Sequence, residues 1–253
     1  MDEMQFKICH LYPDILNLHG DAGNLICLTK RLEWRDIPVS IDCIGIGDKA
    51  NLADYDLVFI GGGQEFDYDA LQADLNEGRR DEIKAAINDG VSFLVTCGGY
   101  QIMGSTYDMT TEQRRDYIRA FDIQTVISPE RAVGNYMFRC TAETGGSTVV
   151  GFENHSGKTY LGAGVSPLGN TIIGHGNNGE DGTEGVHYKN LIGTYCHGPL
   201  LPKNPHLADY IIRTALNRKY GKVDLRPLID TAEHTAHDEM VAKLKAQVER
   251  EAK

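Results

Sequence analysis

Residues 92–103 read SFLVTCGGYQIM, an apolar strand that runs into Cys97, then two glycines, then the start of an apolar helix. This is the layout of a nucleophile elbow, in which a sharp turn lifts the reactive side chain out of a strand end. Glycines suit such a turn because it is strained and packed against neighbouring backbone. The helix N-terminus behind Cys97 is expected to lower its thiol pKa and populate the thiolate. The first helical N–H, that of Gly98, points where a tetrahedral oxyanion would form. The competing reading is a buried structural cysteine beside a Gly-rich turn. Strand, cysteine, paired glycines and helix together favour a nucleophile.

A cysteine nucleophile needs an imidazole to take its proton and return it to the leaving amine. Residues 191–199 read LIGTYCHGP, a strand that ends in His197 and a turn. The chain has nine histidines, so a structural role competes, and the strand-end position is what singles out His197. Alternation along the strand turns Cys196 away from His197 and into the core. Gly61-Gly62-Gly63-Gln64-Glu65 follows the apolar run DLVFI. Glycines there let backbone approach a ligand closely and supply a second oxyanion donor. No Lys-Ser or Lys-Thr follows, which argues against a phosphate loop. Gly45-Ile-Gly47-Asp-Lys-Ala50 matches a dinucleotide fingerprint, but no well-marked apolar helix comes after it, so it reads as a turn.

The elements that must carry these groups alternate between strand and helix. Residues 5–11, 39–46, 56–60 and 92–96 read as strands, and 22–35 (with Leu25, Leu28, Leu32 and Trp34) and 80–88 as helices. That alternation predicts a parallel sheet covered on both faces. From Phe121 to His197 the texture changes to short β-rich runs (FDIQTVI, NYMFRC, STVVGF, NTIIGH, NLIGTYC) between Gly and Asn turns, expected to be antiparallel strands appended to the core. Residues 174–185 (GHGNNGEDGTEG) read as a polar surface loop. Two helices are expected to close the chain, one with Leu207, Tyr210, Ile211 and Ala215 as its apolar stripe, the other with Met240, Leu244 and Val248.

Composition narrows the classes. The 253 residues are 41% hydrophobic and 24% charged, the balance of an ordinary globular protein. A net charge of -11 argues against nucleic acid or an anionic membrane as main partner. No apolar run approaches the roughly 20 residues of a membrane span, and the N-terminus shows no export leader, so a cytoplasmic location is expected. The six cysteines form no C-x-x-C pair, so neither zinc nor a redox pair is signalled, and all six are expected to be thiols.

At this point the motifs resemble a known family. Cys97-Gly98-Gly99-Tyr100-Gln101 is similar to the C-x-G-x-Q signature of class I glutamine amidotransferases. Residues 151–159 (GFENHSGKT) resemble the G-[YF]-E-x-H-x-G-x-T stretch of the cobyric acid synthase branch, and His197-Gly198 resembles its catalytic His-Gly. The resemblance runs from the first strand to about Pro205, with the motifs in order. It implies a flavodoxin-like α/β fold, with an amidotransferase domain over residues 4–204 and a helical extension over 205–253 packed on it. It implies hydrolysis of L-glutamine to glutamate and ammonia, with Cys97 as nucleophile, His197 as base, Gly63 and Gly98 as oxyanion donors, Gln101 against the bound glutamine and Arg131 on its α-carboxylate. Within the branch, a freestanding chain of this length resembles the glutaminase subunits of lipid II isoglutaminyl synthases, which form a heterodimer with a separate Mur-ligase-like synthetase. ATP and magnesium are then expected on that partner, with no cofactor or metal in this chain.

Two departures stand out. The usual elbow has Gly two residues before the cysteine, where this chain has Val95. Many class I enzymes follow the base with Pro-Glu, whereas His197-Gly198-Pro199-Leu200 supplies no acid; a carboxylate from the synthetase is the expected substitute. Glu153 and His155 match the branch motif, and turn-stabilising hydrogen bonds compete with catalysis for them. A stand-alone cysteine hydrolase, a non-catalytic binding subunit and an amidotransferase for a cobalamin precursor remain open alternatives.

Overall fold

The computed structural model describes residues 4–18, 20–63 and 67–251. Strand β1 (Phe6–Leu11) leads through helix α1 (Ala22–Glu33) to β2 (Val39–Ile44), and β3 (Leu57–Ile60) follows. Helices α2 (Asp67–Asp74) and α3 (Arg80–Asn88) flank one turn of wider helix and lead to β4 (Ser92–Thr96) and the single turn α4 (Gly98–Gln101). Next come β5 (Ser105–Asp108), β6 (Gln113–Asp116), β7 (Ile123–Cys140), β8 (Thr148–Leu161), β9 (Gly169–Ile173), β10 (Thr183–Glu184), β11 (Val186–Tyr188) and β12 (Leu191–Thr194). Helices α5 (Pro205–Tyr220) and α6 (Thr231–Glu251) close the chain.

The core sheet has the order β11-β12-β4-β3-β1-β2, parallel throughout except for β11. Every residue of β3, β4 and β12 is buried, which explains their mostly apolar sequences: helices or a second sheet cover both faces. α1 lays Leu25, Leu28 and Leu32 on one face of this sheet, while Trp34, beyond the helix end, stays 52% exposed rather than completing the stripe.

The region after Phe121 differs from its sequence reading in three ways. NLIGTYC is not an appended antiparallel strand: β12 lies parallel to β4 inside the core sheet, with Thr194 opposite Thr96. Its short all-apolar run is the mark of a buried parallel strand, obscured by the surrounding Gly and Asn turns. FDIQTVI and NYMFRC belong to a single strand, β7, which pairs with β8 and is interrupted by an irregularity between Ile127 and Ala132. The second sheet runs β10-β9-β7-β5-β6, with β8 on the other side of β7. Residues 174–185 are not simply a surface loop, since Asn177, Asn178 and Glu184 are buried and Asn177 donates to Thr183 Oγ1 and the Gly185 carbonyl at 3.0 Å each.

α5 buries Leu207, Ile211 and Ala215 together with Ala208, Ile212 and Leu216. Arg31 of α1 binds Asp209 at 2.7 Å and Asp230 at 2.6 Å, fixing α5 and the start of α6 to the domain. On α6 the expected stripe is rotated: Leu244 is buried against Met137 and Val150, but Met240 and Val248 are exposed, and His237 and Val241 share the packed face instead. Among the described residues no helix is long and apolar enough to cross a membrane.

Candidate active site

Strands β3, β4 and β12 are neighbours and parallel, so the segments after them emerge together at the carboxyl edge of the sheet, where open α/β sheets place their ligands. After β3 comes Gly61-Gly62-Gly63, after β4 comes Cys97, and three residues past β12 comes His197. Cys97 has φ 47° and ψ −109°, outside the ordinary regions for a residue with a Cβ. Such strain is held by surrounding bonds: Cys97 N–H donates to the Thr194 carbonyl at 2.9 Å, and Gln101 N–H to the Cys97 carbonyl at 3.0 Å. A Cβ on Gly99 would stand 2.5 Å from the Ile60 carbonyl oxygen, so only glycine lets α4 start this close to β3.

The glycine loop lies directly against Cys97. A Cβ on Gly62 would be 3.2 Å from Cys97 Cβ and 3.8 Å from its sulfur, and one on Gly63 would overlap Leu16 at 2.4 Å. Gln64 and Glu65 lie outside the described residues. The Gly98 N–H favours the ionised form of the Cys97 thiol.

The thiol departs from expectation. Burial, and next the charge of Asp21, push the Cys97 pKa up to about 12, against the opposing pull of the Gly98 N–H and the Arg131 guanidinium. A helix of one turn has too few aligned peptides to outweigh that desolvation. Cys97 is held as a thiol, so any nucleophilic role would need a base to ionise it.

His197 is buried in a backbone bridge to Phe152, with bonds of 2.9 and 3.1 Å, its ring 6.5 Å edge-on from the Phe152 ring. Cys196 turns the other way, into the core cluster, as alternation predicts. Gln101 sits in the first turn after the elbow and donates through Nε2 to the Tyr195 hydroxyl at 3.2 Å. Tyr195 shares a 2.7 Å bond with Thr159 Oγ1, which shares another of 2.7 Å with Thr125. Arg131 stands on the irregular stretch of β7, its Nε bound to Asn154 Oδ1 at 2.5 Å. It lines a cavity of about 160 Å3 with His155, Gly157, Lys158 and His175. Cys97 and His197 are not in that wall, yet the Arg131 charge reaches the thiol and favours its ionised form.

The structure adds groups that the motifs alone did not assign. Glu153, His155, Gly157 and Thr159 are the buried, alternate residues of β8, so G-F-E-x-H-x-G-x-T reads as one face of a strand, not as a turn. Its period of two was the signal available in the sequence. His155 stacks on Tyr195 at 3.8 Å, and Glu153 binds His175 Nδ1 at 2.7 Å and lies 3.6 Å from His155 Nε2. Burial pushes the Glu153 pKa up, but the bonds from His155 and His175 prevail and bring it below the usual range. Glu184 is fully buried and accepts from Tyr136 Oη at 2.8 Å and Tyr195 N–H at 3.1 Å; burial raises its pKa despite these donors. Nothing in the polar run around it distinguishes it from a solvated acid. Among the described residues no three His, Cys, Asp or Glu side chains are arranged to hold a metal ion.

Comparison with known proteins gives the same reading. A family described as CobB/CobQ-like glutamine amidotransferase domain matches residues 7–205. Over 243 residues the chain is 36% identical to "Lipid II isoglutaminyl synthase (glutamine-hydrolyzing) subunit GatD" of Staphylococcus aureus, covering 96% of this chain and 98% of that one. The Streptococcus pneumoniae subunit of the same name is 36% identical over 219 residues, 86% and 83% of the two chains. A probable cobyric acid synthase of Methanothermobacter thermautotrophicus is 31% identical over 181 residues, only 34% of its length. Among solved structures, PurLQS from Thermotoga maritima has a TM-score of 0.57 at 16% identity, covering 85% of this chain and 99% of that one. The glutaminase domain of Trypanosoma brucei CTPS has a TM-score of 0.52 at 12% identity, covering 87% and 98%. The fold is the flavodoxin-like α/β fold of class I glutamine amidotransferases. By its matched domain and its relatives, this chain is a member of the CobB/CobQ-like glutamine amidotransferase family.

Proposed function

We propose that the chain is the glutamine-hydrolysing subunit of a lipid II isoglutaminyl synthase. The observation that carries this is the convergence of Cys97, the Gly61–Gly63 loop and His197 behind three adjacent parallel strands. The near full-length similarity to two such subunits supplies the acceptor. His197 takes the thiol proton as Cys97 Sγ attacks the side-chain carboxamide carbon of glutamine. Gly63 and Gly98 N–H groups bind the oxyanion. The tetrahedral adduct expels ammonia with the proton from His197, and water then attacks the thioester, releasing glutamate and restoring the thiol. Arg131 holds the substrate α-carboxylate through a charge-assisted bond, and Gln101 contacts the substrate amino acid.

The released ammonia passes to a Mur-ligase-like synthetase in a heterodimer with this chain. That partner binds ATP and magnesium and amidates the α-carboxyl of D-glutamate in the peptidoglycan stem peptide. This subunit needs no cofactor and works in the cytoplasm, where ATP and glutamine are available. The test is amide-15N glutamine supplied with lipid II, ATP and the two chains together. Label in the lipid II amide supports the assignment. Ammonia release that is unaffected by any such partner points to a stand-alone hydrolase, and no release under either condition points to a binding subunit.

A further inference from the structure

Asp21 occupies the N-cap position of α1, yet its side chain does not cap that helix. An aspartate there ordinarily accepts from the helix's first free N–H groups. Here the carboxylate is fully buried and turned toward the catalytic edge of the sheet, where Oδ2 accepts from Gly62 N–H at 2.7 Å and from the Thr96 hydroxyl at 2.9 Å. Thr96 is the residue before Cys97, and Gly62 the residue that passes beside its sulfur. One carboxylate oxygen thus joins the glycine loop to the strand that delivers the nucleophile.

The next peptide along, between Gly62 and Gly63, is also held. The Gly62 carbonyl accepts from Leu18 N–H at 2.9 Å. In a trans peptide the C=O of Gly62 and the N–H of Gly63 point in opposite directions, so fixing the former aims the latter. The charge itself is adverse to catalysis, because Asp21 helps to keep Cys97 protonated. Its hydrogen bonds are therefore what the position contributes.

We propose that Asp21 is a positioning residue for the oxyanion hole: by tying Gly62 N–H and the Thr96 hydroxyl to one oxygen, it holds the Gly61–Gly63 loop so that Gly63 N–H faces the carboxamide oxygen on the carbon attacked by Cys97. This rests on the glutaminase reading above.

The test uses the full chain with its synthetase partner, and three variants. Asp21→Ala removes both ties and is expected to lower kcat for glutamine by about 10²-fold, the scale of one lost oxyanion donor, with KM nearly unchanged. Asp21→Asn keeps an oxygen that accepts both bonds and is expected to recover most of that loss. Thr96→Val removes one tie and no charge, and is expected to cost about tenfold. Alkylation of Cys97 by iodoacetamide needs no oxyanion hole, so it should proceed at least as fast in both Asp21 variants as in the native chain. Hydrolysis by Asp21→Ala within threefold of native overturns the proposal. So does an Asn variant as poor as Ala, or a parallel fall of hydrolysis and alkylation, which would report a collapsed site. Hydrogen exchange at the Gly62 amide gives a readout independent of activity: it should accelerate in Asp21→Ala and not in Asp21→Asn, and an unchanged rate in both removes the clamp. If the native pair releases no ammonia from glutamine, the proposed function fails and the exchange result alone decides the clamp.

Discussion

The Cys97 N–H donates to the Thr194 carbonyl at 2.9 Å, so the last ladder bond between β4 and β12 joins Cys97 to the strand that leads into His197. Because both strands are parallel and buried, a displacement of either moves Cys97 and His197 relative to one another. The relative placement of these two side chains is set at the sheet's edge.

Cys97→Ala should abolish ammonia release while the chain still folds, since alanine keeps the elbow but removes the only atom able to form a thioester. Cys196→Ala should cost some stability, on the order of 1–2 kcal/mol for a small buried side chain, and leave turnover largely intact. Ammonia assays paired with circular dichroism check both. Substantial glutaminase activity in folded Cys97→Ala protein would sink the mechanism.

Arg131→Ala should weaken glutamine binding by about 2–3 kcal/mol, the scale of a lost charge-assisted contact. A second effect follows from its reach to the thiol: without the guanidinium, Cys97 ionises less readily. Alkylation at a fixed alkaline pH should therefore slow. Unchanged glutamine saturation together with an unchanged alkylation rate would make Arg131 a surface residue.

The chain should lose stability in alkali through its buried thiols. Burial pushes Cys9 and Cys97 up to about 12 and Cys140 up to about 11. In the unfolded chain a thiol ionises near pH 8.5. Below that pH both states are protonated and the thiols contribute no pH dependence. Above it the unfolded state loses protons that the folded state retains, so stability falls as pH rises from about 8.5 toward 11, by roughly 2 kcal/mol per buried thiol at pH 10. Urea midpoints at pH 7.5 and 10 measure the fall, and Cys140→Ala should reduce it. Equal midpoints at the two pH values would contradict the burial assigned to these thiols.

The sequence exposed what depends on local pattern and hid what depends on long-range pairing. The elbow around Cys97, the buried strands around Phe59 and Leu94, and the apolar face of α5 each follow from a short run of residues. The parallel placement of β12 beside β4 does not, because about 90 residues of a second sheet separate the two strands. Asp21 and Glu184 were invisible for the same reason. Their partners, Gly62 and Thr96 for one, Tyr136 and Tyr195 for the other, come from distant segments, and a carboxylate reads as solvated until such donors surround it. The α6 stripe sits a fraction of a turn from its expected phase, since a strongly charged helix offers few apolar residues to fix it.

His197 needs an acid beyond Pro199 to orient it. A catalytic imidazole has its second nitrogen fixed by a carboxylate, which selects the tautomer and stabilises the imidazolium. The position two residues past His197, where many class I enzymes carry a glutamate, holds Pro199, whose side chain has no group that could orient an imidazole. Its ring packs on α1, for a Cβ added at Gly23 would stand 2.6 Å from Pro199 Cγ. Pro199 is thus committed to the helix that carries Asp21, and restoring an acid there would disturb that packing. A carboxylate of the synthetase, completing the triad across the interface, would confine hydrolysis of glutamine to the assembled pair. The isolated chain should show weak glutaminase activity, and the partner should raise it by about 10²-fold or more, the range that general-base assistance supplies. Replacing the partner carboxylate by Asn should remove the rise while the two chains still co-elute. Full activity of the isolated chain, or a partner variant that loses its acid and keeps the activation, would show that His197 is oriented from within this chain.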